Sequence, residues 1–271
     1  MSIKKWVIIA SVYLIAVFGG YGLLTGENPF KSGAMNHQEH AEGHEPKNES
    51  DGHGNHAHQE DGPSEIEVSV SYVDNELTIE LMDDEGNAPT LSITHEKEMH
   101  AILVSSDLKE YIHLHPENKD DGIFVVEESL SSGQYEVFID IKPSTKNYEV
   151  EAIPLNIGET STPNASLTPD EEWTKDIEGK KVTLEPISAK TGEEVLLKFD
   201  LHGEKPEKYL GALGHVVIID EQVEDFIHVH PTSEQETNFI THFSKPGLYK
   251  VWAEFKFEGK VNAYPFVIEV Q

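Results

Sequence analysis

The chain has 271 residues, enough for two domains of roughly 100 residues each plus flanking segments. Acidic residues outnumber basic ones 50 to 20, arginine is absent, and the net charge of −30 excludes the phosphate neutralisation that nucleic-acid binding requires. The absence of cysteine excludes disulfides, thiolate zinc sites, a lipid-modified N-terminal cysteine, a thiol nucleophile and a Cys-ligated blue-copper centre.

Residues 6–25 form an uncharged apolar run whose length, at about 1.5 Å per helical residue, matches a hydrocarbon core of about 30 Å. Lys4 and Lys5 precede it, so the positive-inside rule places the N-terminus in the cytoplasm and the rest of the chain outside the cell membrane. The run is longer than a signal-peptide core and no A-x-A site follows it, which favours a retained single-pass anchor (residues 1–25) over a cleaved leader. Residues 26–63 are almost free of large apolar side chains after Phe30 and are expected to form a disordered linker. His37, His40, His44, His53, His56 and His58 are interleaved there with acids, the composition of a loose metal collector.

From Ser64 onward the pattern is that of strands. Residues 65–73 (EIEVSVSYV) and 76–82 (ELTIELM) alternate polar and apolar around an Asp74-Asn75 turn. A stretch poorer in large residues, 158–172, precedes KKVTLEPI (180–187) and EEVLLKFDL (193–201). The expected organisation is two tandem β-sandwich domains, 64–160 and 178–271, in an all-β chain.

An internal repeat supports this division. HAILVSSDLKEYIHLHP (100–116) aligns without gaps to HVVIIDEQVEDFIHVHP (215–231). The identical pairs are His100/His215, Ile112/Ile227, His113/His228, His115/His230 and Pro116/Pro231. The likeness continues from 123–141 to 238–255, with one residue of slippage before Gly133/Gly247. If the first segment folds as a hairpin turning near Ser106-Asp107-Leu108, paired residue numbers sum to about 213–215 and His100 lies across from His113 or His115. His113 and His115, two apart, share a face, so all three imidazoles can converge. The same arithmetic joins His215, His228 and His230. Three imidazoles suit Zn(II) or Cu(II), and the scarcity of methionine argues against Cu(I). The bland alternative is a structural histidine cluster inherited by both domains, with Pro116 and Pro231 ending a strand. Each domain is thus expected to carry its own three-histidine site, two per chain; a meeting of both hairpins at one interdomain interface is the alternative arrangement.

Other candidates are weaker. His95 has no histidine counterpart in the repeat, His202 sits at a strand end, and His242 corresponds to Glu127. Glu98 shares strand parity with His100 and is a candidate fourth ligand.

The run EMHAILVSSDLKEYIHLHPE with SGQYEVFIDI, and more closely GHVVIIDEQVEDFIHVHP with the segment from Lys245 onward, resembles YtkA-like and other copper-resistance-associated bacterial envelope proteins over about two thirds of the chain. The resemblance implies an immunoglobulin-like or cupredoxin-like sandwich of seven or eight strands and a role in envelope metal handling. The expected function is therefore a membrane-anchored, extracytoplasmic metal-binding protein serving capture, buffering or resistance, with a transporter or sensor as a possible class of partner, and not an enzyme. Two alternatives are a structural or adhesive surface protein and a zinc-dependent hydrolase. The hydrolase needs a base beside the ion, and the nearest acid, Glu98, is replaced by Leu213 in the second copy.

Overall fold

The computed structural model describes residues 63–158, 164–229, 231–233 and 235–271. The anchor and the histidine-rich linker expected before Pro63, and His230, lie outside the described residues. Every regular element described is a β-strand. The first domain runs β1 (Ile66–Val73), β2 (Glu76–Asp83), β3 (Leu91–Ser92), β4 (Met99–Ser105) and β5 (Tyr111–Leu114). It continues with β6 (Glu117–Asp120), β7 (Ile123–Glu127), β8 (Gly133–Pro143) and β9 (Ile153–Ile157). The second runs β10 (Thr174–Ile177), β11 (Lys180–Leu184), β12 (Glu194–Asp200) and β13 (His215–Asp220). It ends with β14 (Phe226–Val229), β15 (Asn238–His242), β16 (Gly247–Phe257) and β17 (Lys260–Val270). Strand β10 lies ahead of the expected start at 178 and already pairs with β11.

Each domain stacks an outer sheet on an inner one. The outer sheets are β1-β2-β7-β6 and β10-β11-β12-β15; the inner ones are β3-β8-β4-β5, with β9 added beside β8, and β14-β13-β16-β17. Period-two alternation explains the outer strands: Leu77, Ile79 and Leu81 of β2 point inward while Thr78, Glu80 and Met82 face out. Two cores result. One gathers Leu77, Ile79, Met99, Ala101, Leu103, Val137 and Ile139; the other gathers Val182, Leu197, Val216, Ile218, Phe239, Phe255 and Phe266.

The inner strands behave differently. All seven residues of β4 and all six of β13 are buried, so both faces of each inner sheet are covered. The second faces meet each other in a third apolar cluster that draws Ile102, Val104, Leu108 and Phe138 from the first domain and Val217, Ile219, Val223 and Trp252 from the second. The joint has a pseudo-two-fold character. Tyr111 of the first domain stacks on Trp252 of the second at 4.8 Å, and Phe226 of the second stacks on Phe138 of the first at 5.0 Å. Tyr111 is the repeat equivalent of Phe226, and Ile102, the cross-strand partner of Phe138, is the equivalent of Val217, the partner of Trp252.

The hairpins on either side of the joint are built alike. Ser105 Oγ accepts the backbone N–H groups of Lys109 and Glu110, and Asp220 Oδ1 accepts those of Glu224 and Asp225. Leu108 and Val223 both take the left-handed conformation, at φ 55° and 61°. Serine and aspartate do the same job because either side chain offers an acceptor to an open turn.

Candidate metal centre

At one end of the joint the histidines assemble. In β4 and β5 the register pairs Ala101 with Leu114 and Ile102 with His113, a sum of 215 that brings His100 level with His115 beyond the strand end. His100, His113 and His115 therefore share the face turned toward the other domain, and their ligand nitrogens all lie within 4.8 Å of one another. Their ring centroids are 5.4 Å (His100–His113), 5.0 Å (His100–His115) and 4.7 Å (His113–His115) apart.

Hydrogen bonding assigns the tautomers. His100 Nε2 lies 3.1 Å from the Thr94 carbonyl, which only accepts, so this nitrogen carries the hydrogen and Nδ1 carries the lone pair. His113 Nδ1 lies 2.7 Å from Glu254 Oε2 and donates to it, which turns Nε2 inward. His100 Nδ1 and His113 Nε2 face each other at 3.1 Å, a contact in which the two nitrogens share a hydrogen or both bind one metal ion. Two ligands of a tetrahedral ion bound at about 2.0–2.1 Å are about 3.3 Å apart, close to the spacing seen. Burial pushes the His100 imidazole down to about 3, helped by the charge His113 can carry, and burial likewise pushes His115 down to about 3. Both rings thus stay neutral, the form that ligates metal. His115 Nε2 is buried without a hydrogen-bond partner among the described residues.

The second copy contributes to the same place. His215 and His228 sit on β13 and β14 with their ring centroids 6.0 Å apart, and His228 approaches His100 to 5.4 Å and His113 to 5.9 Å. His228 Nδ1 lies 2.6 Å from Asp140 Oδ2 of the first domain, as His113 Nδ1 lies 2.7 Å from Glu254 of the second. The two histidine triplets expected from the repeat therefore converge, with five of their six members described and His230 outside the description.

Three participants lie outside the two expected triads, His95 being one of the weaker candidates. His95 sits in a two-residue turn between Thr94 and Lys97, which exchange backbone hydrogen bonds of 2.8 and 3.0 Å. With φ of 49° and 65° at His95 and Glu96 this turn has the primed form, and it swings the His95 ring to 6.0 Å from His100, 5.8 Å from His215 and 6.0 Å from His228. The same turn recurs at Tyr209–Ala212, where Leu210 stands in the place of His95. Asp140 and Glu254 are the cross-strand partners of His100 and His215, so they share the histidine face; both are buried. The signal for them was an acid in each of the apolar runs FIDI and WAEF. Tyr111 is close enough to Glu254 that its phenol is pushed well above its usual value, by burial and then by that charge.

The remaining candidates stand elsewhere. Glu98 accepts from Asn118 at 3.4 Å on the open side. His202 contacts Thr183 at 2.7 Å, and His242 is exposed on β15 opposite Glu194.

Gly214, just before His215, shows how tightly this end is built. A Cβ there would lie 2.6 Å from Phe255 Cε1 and 2.8 Å from the Glu254 carbonyl. Gly214→Ala is expected to cost about 1–3 kcal/mol through overpacking, read as a lower urea midpoint at unchanged slope; an unshifted midpoint would mean that β13 and β16 separate freely here.

Two tandem β-sandwiches facing each other across a histidine cluster are what the chain presents. It belongs to the family described as a domain of unknown function, DUF8832, which matches twice, over residues 55–156 and 175–271. No curated protein matches it. Among solved structures it is similar to the chicken CNTN1 FN1–FN3 domains, at 14% identity and a TM-score of 0.23, over 76% of this chain and 66% of that one. It is also similar to a two-domain fibronectin type III segment of chicken tenascin, at 11% identity and a TM-score of 0.23, over 77% of this chain and 99% of that one. Strand pairing, rather than this likeness, defines the two sandwiches.

Proposed function

We propose that the chain is an extracytoplasmic divalent-metal-binding protein, holding Zn(II) or Cu(II) at His100, His113 and His115. The observation that carries this reading is the convergence of three histidines whose ligand nitrogens lie within 4.8 Å of one another, with His100 Nδ1 and His113 Nε2 3.1 Å apart and the far nitrogen of each of these two rings held by an acceptor. Histidine ligands backed by a carboxylate or carbonyl in this manner are the usual outer shell of a metal site. The histidine-rich linker and the net charge of −30 suit capture of cations, and the motif's resemblance to copper-resistance-associated envelope proteins points to the same kind of role. Holding is favoured over hydrolysis because, among the described residues, Asp140 and Glu254 each accept from an imidazole and Glu98 accepts from Asn118.

The test uses the full-length chain, solubilised in detergent, with the six linker histidines replaced by alanine. Elemental analysis and titration with Zn(II) and Cu(II) should find tight binding that His113→Ala abolishes. If no metal binds while the chain stays folded, the histidines are structural, and a surface role of adhesive type takes the place of metal handling.

A further inference from the structure

We infer that the two domains hold one divalent ion jointly, each domain orienting the other's central histidine across the interdomain joint. This rests on the metal-binding reading above and adds to it the stoichiometry and the outer shell.

Two observations carry it. First, the carboxylates are exchanged. His113 of the first domain donates to Glu254 of the second at 2.7 Å, and His228 of the second donates to Asp140 of the first at 2.6 Å. Neither domain by itself contains the acceptor that fixes its own central ring. Second, the rings interleave: His100 lies 5.4 Å from His228, no farther than it lies from His113 of its own hairpin. The triad thus borders the second domain's ring, which stands ready as a fourth ligand after a small shift.

The experiment measures stoichiometry and affinity for Zn(II) on the same full-length chain with linker histidines replaced. One equivalent per chain is expected. Glu254→Gln and Asp140→Asn should each weaken binding by about 10–100-fold, although neither residue touches the ion, the loss typical of removing an outer-shell carboxylate. Glu254→Asp should recover part of that loss. The Cu(II) resonance spectrum of the Gln and Asn variants should shift as the ring each carboxylate orients turns, a change that mere destabilisation would not produce. Two equivalents per chain, or full affinity in both carboxylate variants, would overturn the shared site while leaving metal binding itself intact. Absence of any binding would instead sink the reading on which it rests. Should a carboxylate variant fail to fold, the stoichiometry of the parent chain still decides between one shared ion and two separate ones.

Discussion

Trp252→Ala is expected to lower the free energy of unfolding by about 3–5 kcal/mol, the range for deleting a large buried aromatic. Trp252 is 2% exposed, yet it belongs to neither sandwich core: it packs in the cluster between the domains and stacks on Tyr111. The loss therefore falls on the joint. Urea unfolding followed by circular dichroism should show one cooperative transition for the parent chain and an earlier, broader one for the variant, as the two sandwiches begin to melt separately. Phe138→Ala, at the equivalent position of the first domain and stacked on Phe226, should behave alike. A midpoint unchanged in both variants would mean that the inner sheets are not joined in solution. Against a typical domain stability of about 5–15 kcal/mol, losses of this size are easily measured.

The second large effect is on pH. In the metal-stripped chain, His100 and His115 are held down to about 3 by burial, whereas in the unfolded chain they titrate at the ordinary value of 6.5. Between these limits the unfolded state binds more protons than the folded one, so stability falls as the pH falls. The contribution is complete above pH 6.5 and declines steadily toward pH 3. At pH 5 the loss amounts to about 2 kcal/mol for His100 and less for His115, which water partly reaches. The melting temperature of the stripped chain should therefore drop clearly between pH 7.5 and pH 5, and the His100→Gln/His115→Gln variant should show a shallower slope. Equal slopes would mean that these rings titrate as free histidines do.

Much of this architecture was legible in the sequence, for reasons that can be named. Alternation in ELTIELM and its neighbours reflects sheets with one wet face, and the repeat at His100 and His215 reflects two copies of one fold. The hairpin register fell inside the expected range because the turn at Ser105 and the parity of the histidines leave few choices. The joint was harder to see. Its signal is present, since HAILV and HVVII are apolar at every second-face position apart from the histidines, but a fully apolar strand reads equally well as the centre of a single sandwich. His95 was discounted for lacking a partner in the repeat, and its recruitment depends on a primed turn that local spacing does not announce. Asp140 and Glu254 were missed because each lies on a strand remote in sequence from the ring it serves. A cross-domain hydrogen bond has no period to detect.

The same joint has a consequence for how the histidine cluster comes together. Were these sandwiches separate molecules, the cluster would form only at concentrations above their dissociation constant, and a dilute protein would rarely present it. Fusion in one chain replaces that encounter with an intramolecular one at an effective concentration of order millimolar. The connecting segment strengthens this. Ala165 and Leu167 pack on the interdomain cluster, the Leu167 N–H donates to Glu221 at 2.7 Å, and Asp170 exchanges hydrogen bonds with Val267 at 2.9 and 3.1 Å. Its second half is thus already laid against the second domain, which shortens the tether that closes the joint. Assembly of the histidine cluster is in this way independent of how many copies of the protein are present.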